Sequence, residues 1–355
     1  MAEKRSIIVV GGGIVGASIA WHLAKAGTPP LVIMADGEGP ATSGSFAWIN
    51  ASHGNPEPYF RLRAASIADW RRIGGTELPA MPVRLGGSLT FDMPAHEVDG
   101  YVHQYRDWGY AIEAIGPAEI RAREPRLRQV PDRAALCLDE GAVEPVAAAR
   151  LFLEAAEAQG ARIMSGIAVE GLITEGGRVT GVASRIGQHR GDLVVLAAGI
   201  GNPRLAADAG VTLPMRTPEG LLVNTQPLPK VLNGLLVAPD LHVRQTLDGR
   251  LVAGLDFVGS IIESRSRTEE VLLERVRDLI DLPEPIELER TTVAQRPTPS
   301  DGFPAVGAAP GTEGLYIAST HSGVTLAPAI GRMAAEEILT GQRDPLLEPY
   351  DPGRF

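Results

Sequence analysis

Residues Ile7-Ile8-Val9-Val10-Gly11-Gly12-Gly13-Ile14-Val15-Gly16-Ala17, running on through Ser18-Ile19-Ala20-Trp21-His22-Leu23-Ala24-Lys25-Ala26-Gly27, decide how this chain folds. Four β-branched apolar residues predict a short buried strand. Three glycines then predict a tight turn, and the apolar-periodic run to Ala26 a helix that Gly27 stops. Gly11, Gly13 and Gly16 fit G-x-G-x-x-G in the strand–turn–helix context that this pattern requires. In such a turn Gly11 allows the reversal, Gly13 lets the backbone approach a pyrophosphate, and Gly16 lets helix and strand pack closely. The helix start, at Ile14 and Val15, adds free N–H groups and a positive dipole end for phosphate. A glycine turn without a ligand is the plainer alternative.

The bulk numbers narrow the field. With 355 residues the chain can bury a large core and is expected to divide into two domains. At 44% hydrophobic and 21% charged it has the composition of an ordinary soluble globular protein. A net charge of −10 argues against nucleic acid or an anionic membrane as the main partner. The single cysteine, Cys137, excludes an internal disulfide framework and a CxxC zinc site. It reads as a small core hydrophobe, and no metal is expected. The charged start and apolar run of residues 1–10 resemble a secretory leader. The glycine triplet interrupts that run, so a cytoplasmic protein that keeps its fingerprint is expected. No stretch reaches the roughly 18 uninterrupted apolar residues that crossing a membrane requires.

Residues 31–34 read as a second buried strand. In this kind of fold an acidic residue at its end binds the ribose hydroxyls. Here Met34 or Ala35 holds the expected position and Asp36 follows, so either Asp36 or backbone and water make that contact. The small-residue loop 37–44 leads into Ser45, Phe46 and Ala47, whose backbone could run beside a cofactor or simply over the surface. Residues 59–73 read as an amphipathic helix with its arginines on the solvated face. From Val83 short strand-like runs follow, including 87–92 and 134–138, with a helix start at 117–120. Residues 145–159 predict a helix, 162–165 and 168–172 strands, and Gly176-Gly177 a hairpin. The run 193–196 predicts a buried strand ending in Ala197-Ala198-Gly199. Antiparallel texture returns over 214–290, with a hairpin at Asp248-Gly249 and a helix capped by Thr268. A last strand at 314–318 precedes His321-Ser322-Gly323-Val324-Thr325, which turns into a helix ending at Gly341.

Taken together, these segments resemble the D-amino-acid oxidase family of flavoproteins, the group that includes glycine oxidase and monomeric sarcosine oxidase. The likeness covers residues 8–27, 45–52, 139–145, 169, 196–199, 296–307 and 316–341. Arg296-Pro297, Asp301-Gly302 and Pro304-Ala305-Val306-Gly307 are similar to the family's run before its last strand. The segment from His321 to Pro328 is similar to its final flavin-binding turn.

The resemblance implies FAD rather than NAD. No cysteine stands in the C-terminal third, where monomeric sarcosine oxidase attaches its flavin, so the FAD is expected to be non-covalent. The implied fold is α/β (α+β overall), a Rossmann-like FAD-binding domain interleaved with an antiparallel-sheet substrate domain. The first would comprise residues 1–80, 145–213 and 291–355, the second 81–144 and 214–290. Gly11, Gly13 and Gly16 match the pyrophosphate turn, and Val169 the residue whose backbone meets adenine. Ala197, Ala198 and Gly199, with Gly201 just beyond, match a second close approach to the cofactor. Gly323, Val324 and Thr325 match the turn over the flavin's pyrimidine end.

Arg296 falls where relatives hold the substrate carboxylate, a task suited to a guanidinium; a structural salt bridge is the alternative. The implied reaction oxidises the C–N bond of a small amine or amino acid of D-amino-acid, glycine, sarcosine or imino-acid type. Hydride passes to flavin N5, the imine hydrolyses, and O2 or another acceptor takes the electrons. The start of the last helix, and next to it His321, are candidates for the positive end that such a ring needs. Asn50, His53, His242 and Arg244 are further pocket candidates. The lid tyrosines of D-amino-acid oxidases have no clear equivalent. Two other readings stand beside this one, a flavin-holding relay or structural subunit without an amine substrate, and a NAD-linked dehydrogenase.

Overall fold

In the computed structural model, which describes residues 5–37, 39–255 and 265–355, the opening stretch forms strand Ile7–Val10 and helix Ile14–Lys25. The leader-like residues 1–4, Glu38 and residues 256–264 of the antiparallel stretch lie outside the described residues. Strand Ile7–Val10 sits inside a six-stranded sheet ordered Ala305–Ala308, Leu315–Ser319, Leu193–Leu196, Ile7–Val10, Leu31–Ile33, Arg162–Met164. All neighbours are parallel except the first pair. The chain leaves Ile7–Val10 toward Leu31–Ile33 on one side and returns to Leu193–Leu196 on the other. Strand order therefore reverses at Ile7–Val10, and in open α/β sheets the crevice at such a point is where ligands bind. This is a Rossmann-like sheet.

Helix Ile14–Lys25 packs between Pro145–Glu157 and the last helix, Gly323–Thr340. Its approach to the last helix is close enough that a Cβ on Gly331 would lie 2.2 Å from Ser18 Oγ and 3.0 Å from the Ser18 carbonyl carbon. Trp21 packs on Phe152 at 5.4 Å.

An eight-stranded sheet runs Leu288–Gln295, Glu219–Thr225, Leu251–Gly254, Leu241–Gln245, Leu235–Ala238, Ser88–Thr90, Ala134–Cys137, Ile112–Ile115. Every pair is antiparallel except Leu235–Ala238 with Ser88–Thr90. Helix Arg265–Leu279 packs on it through Leu272, Leu273 and Val276, and begins before the expected cap at Thr268. The helix start expected at 117–120 opens helix Pro117–Arg123, whereas helix Ala95–Asp107, earlier in the same region, is a second departure, since no helix is expected there. Val98, Val102 and Tyr105 recur at helical spacing and are buried, while Pro94 precedes the first turn. Among the described residues no helix is long and apolar enough to cross a membrane.

The last helix is interrupted near its start. Pro328 has no N–H for the Val324 carbonyl. Trp70 Nε1 donates to that carbonyl instead, at 3.1 Å. One residue on, Ser66 Oγ sits inside the ladder, donating to Thr325 O at 2.6 Å and accepting from Ala329 N at 3.2 Å. Ser66 and Trp70 belong to helix Glu57–Arg72 and are fully buried.

Candidate active site

A cavity of about 530 Å³ runs from the glycine turn to the start of the last helix, with walls from both large sheets. At one end Gly11 has φ +109°, and a Cβ there would lie 2.4 Å from Ala197 O. A Cβ on Gly16 would lie 2.1 Å from Gly11 O, so Gly16 serves helix–strand packing and does not line the cavity. Gly13 stands at the N-cap and Thr42 Oγ1 accepts from Ile14 N at 3.1 Å. The next first-turn amides have no intrahelical acceptor, and Ile14 and Val15 line the cavity.

Met34 lies against Gly12, its sulfur 2.4 Å from where a Cβ on that glycine would stand. It fills the position expected for an acid. Ala35 and Asp36 follow, exposed, at the rim. Val169, Ala197, Ala198, Gly199 and Gly201 line the same end. Asn202 fixes the turn among them, accepting from Ala198 N at 2.8 Å and donating to Leu196 O and Ala318 O.

Ser45, Phe46 and Ala47 form part of the wall. Ala47 has φ +61°, rare for a side-chain-bearing residue, and its N–H is taken by Ser45 Oγ at 3.0 Å. Phe46 O accepts from Arg244 Nε at 2.6 Å, and Arg244 Nη1 pairs with Glu144 at 3.0 Å. Arg244 is therefore not the pocket residue expected. It stands behind the wall, buried, with its fork already engaged.

At the other end are Asn50, His53, His242, Arg296 and His321, with Gly323, Val324 and Thr325 of the last helix. Thr325 Oγ1 donates to Trp48 O at 3.0 Å and accepts from Asn50 N at 3.4 Å. His53 has φ +70°, and its N–H donates to Tyr101 OH at 2.8 Å. Its Nδ1 lies 3.8 Å from Asp92 Oδ2. His53, Asp92 and His242 bring metal-ligand-type atoms within 4.8 Å of one another, a grouping that their spacing in the sequence does not betray. The Trp48 ring lies against both imidazoles, at 5.3 and 5.7 Å.

His321 is held neutral. Burial, followed by the nearby Arg63 and Arg296 guanidiniums, lowers its pKa to about 3, and its Nδ1 has no partner among the described residues. An uncharged imidazole cannot be the positive end for which His321 was a candidate.

The sequence model of the FAD dependent oxidoreductase (DAO) family matches residues 6–337. The chain belongs to this family. One of the opine oxidase subunits of Agrobacterium tumefaciens is 28% identical over 98% of this chain and 96% of that protein. Glycine oxidase of Bacillus licheniformis is 25% identical over 96% and 94%. L-proline dehydrogenase from P. horikoshii superposes with a TM-score of 0.89 at 25% identity, covering 100% of this chain and 98% of that one.

The cofactor of this FAD dependent oxidoreductase is FAD, and the cavity fits it. Gly11 leaves no room for a side chain at the turn, the first-turn residues Ile14 and Val15 line the cavity, and two helix starts converge, a Cβ on Gly323 lying 3.2 Å from Val15. The family membership removes the ground for the NAD-linked alternative.

Three residues escape a reading of the sequence. Arg63, expected on a solvated helix face, is 5% exposed and lines the cavity. It lies three residues after Phe60 and four before Ile67, on the apolar stripe, and that spacing is the available signal. Arg204 lines the cavity and donates to Glu170 O and Val169 O, at 2.7 and 3.1 Å. Glu140, 0% exposed, accepts from Trp48 Nε1, Ala51 N, Ser52 N, Ser52 Oγ, Ser88 Oγ and Tyr110 OH.

Proposed function

We propose that this flavoprotein oxidises the C–N bond of a small amino acid or N-substituted amino acid, with Arg296 receiving the substrate carboxylate. One observation carries the reading. Among the described residues lining the cavity, Asp36 is the sole carboxylate, and it stands at the glycine-turn end, whereas Arg63 and Arg296 line the opposite end. A pocket with that charge favours an anionic group beside the reacting carbon. Two relatives are named for glycine and proline, both of which carry a carboxylate next to the amine. Bound FAD supplies the hydride acceptor.

The protein's own groups bind and orient. Arg296 offers the planar fork that matches a carboxylate, and the Trp48, His53 and His242 rings close one side. Proline and sarcosine types, glycine and D-amino acids all satisfy these contacts, and O2 or another acceptor would reoxidise the flavin.

The test is anaerobic mixing of the yellow holoprotein with glycine, sarcosine, proline, D-amino acids and N-carboxyalkyl amino acids, read by bleaching of the flavin bands. Reduction by a carboxylated amine, and not by the same amine without its carboxylate, is expected. FAD that no amine reduces would replace this reading with that of an electron-relay subunit.

A further inference from the structure

Arg63 is a buried guanidinium with no carboxylate partner among the described residues. Its Nε donates to Asn50 O at 2.9 Å and its Nη2 to Asn50 Oδ1; its Nη1 donates to Tyr59 OH at 3.2 Å and Ser322 Oγ at 2.7 Å. All four acceptors are neutral. A charge buried without a counter-ion is costly to the fold, so its retention calls for a use.

The acceptors indicate one. With Asn50 Oδ1 turned to Arg63, the Asn50 amide presents its NH2 on the other side. That nitrogen has no hydrogen-bond partner among the described residues, and Asn50, 6% exposed, lines the cavity. Ser322 precedes helix Gly323–Thr340, whose first turn lines the same wall. One fixed cation thus stands behind two groups of N–H donors, the Asn50 amide and the helix start, and polarises both. His321, between Arg63 and Arg296, is neutral and adds no charge of its own.

We propose that Arg63, working through Asn50 and the start of the last helix, is the fixed positive charge that stabilises the negative charge FAD acquires on reduction. The inference rests on the amine-oxidising reading above. In that reaction the substrate's C–H bond breaks and its electron pair and hydrogen pass to the ring. The amine leaves as an iminium ion, and the ring holds one more hydrogen and one negative charge. Arg63 is a positioning residue here, since Asn50 and the helix start face the cavity in front of it.

The experiment uses sulfite, which adds to oxidised flavin to give an anionic adduct without any substrate. Wild type, R63K, R63M, N50D and N50L are purified as holoproteins. FAD content, thermal midpoint, sulfite Kd and the two-electron midpoint potential are measured on each. R63M is expected to weaken sulfite binding about a hundredfold, the scale of losing one preorganised donor to a developing anion. The midpoint then falls by about 60 mV, at roughly 30 mV per tenfold. R63K keeps the charge and stays within about tenfold of wild type. N50D gives Arg63 the carboxylate it lacks, so it keeps or raises the thermal midpoint and still loses sulfite affinity as R63M does. Sulfite affinity unchanged in N50D overturns the proposal even if R63M fails to fold. N50L, which removes the amide without adding a charge, separates loss of the donor from repulsion by the new carboxylate: unchanged sulfite affinity in N50L overturns it as well. Protein purified without FAD, or FAD that no amine reduces, would instead overturn the underlying reading, which sulfite does not probe.

Discussion

Arg63 and Glu140 grip opposite sides of one five-residue segment, residues 48–52. Arg63 donates to the Asn50 carbonyl and side chain, while Glu140 accepts from Trp48 Nε1, Ala51 N, Ser52 N and Ser52 Oγ. Neither charge meets an ion of opposite sign among the described residues; each is satisfied by neutral dipoles, those of the strip between them and, beyond it, Tyr59 and Ser322 for Arg63 and Ser88 and Tyr110 for Glu140. The strip therefore carries a cation on its cavity side and an anion on its inner side.

Glu140→Gln is the direct probe of that arrangement. The amide keeps the shape but turns charge-assisted bonds into ordinary ones and brings donors where only acceptors are wanted. Breaking such a buried centre is expected to cost about 3–5 kcal/mol. Urea unfolding should show it, together with faster loss of FAD. A variant as stable as wild type would mean that the six donors are satisfied some other way.

Gly11→Ala and Gly331→Ala separate cofactor from scaffold. At Gly11 the methyl would lie 2.4 Å from Ala197 O on a φ of +109°, at the mouth of the cavity. That protein should purify with little FAD. At Gly331 the methyl meets Ser18 between two helices, away from the cavity, at a cost of about 1–3 kcal/mol. It should bind FAD normally with a lower melting temperature. The reverse pattern would sink both assignments.

Arg296→Ala should raise the apparent Kd for carboxylated amines by more than about a hundredfold in anaerobic reduction, the worth of two charge-assisted hydrogen bonds. Amines without a carboxylate should be unaffected, and FAD content should hold. Equal losses for both kinds of amine would place Arg296 in a structural role.

Acid should destabilise the fold through two imidazoles. Burial is the main cause that lowers the pKa of His22 to about 4 and of His321 to about 3, from an ordinary 6.5. Between those values the unfolded chain binds protons that the folded one refuses. The contribution is absent above pH 6.5 and grows as a penalty while pH falls toward 4. His22→Leu removes one titration, at the loss of the 2.8 Å contact between His22 Nδ1 and Ser18 O. Its unfolding free energy should fall less steeply than that of wild type between pH 6.5 and 4.5. An unchanged slope would count against the burial argument.

What the sequence showed and what it hid divide along a physical line. The glycine turn could be read because local backbone geometry demands those residue types, whereas the small residues after Leu196 and the last-helix turn stood out as candidates through the family resemblance. Met34 in place of an acid was visible, but that it packs on Gly12 depended on the fold. Arg63 and Arg244 were misread in opposite directions. A guanidinium gives no sign of whether it faces water, a ligand or a carbonyl until strands and helices far apart in sequence are assembled. The neutrality of His321 likewise comes from burial beside Arg63, and the two lie 258 positions apart in the chain. Helix Ala95–Asp107 was hidden by polar residues between its three buried positions.

The break at Pro328 has a consequence for anyone wishing to retune this flavoprotein. Because Trp70 and Ser66 take over the carbonyls of Val324 and Thr325, the first turn of the last helix hangs from a neighbouring helix as much as from its own. Neither Trp70 nor Ser66 lines the cavity. Ser66 and Trp70 are thus a remote adjustment screw. Substitutions at these two positions would shift the helix start that lines the cavity without changing any cavity-lining side chain, so a search for altered behaviour confined to the pocket walls would miss it.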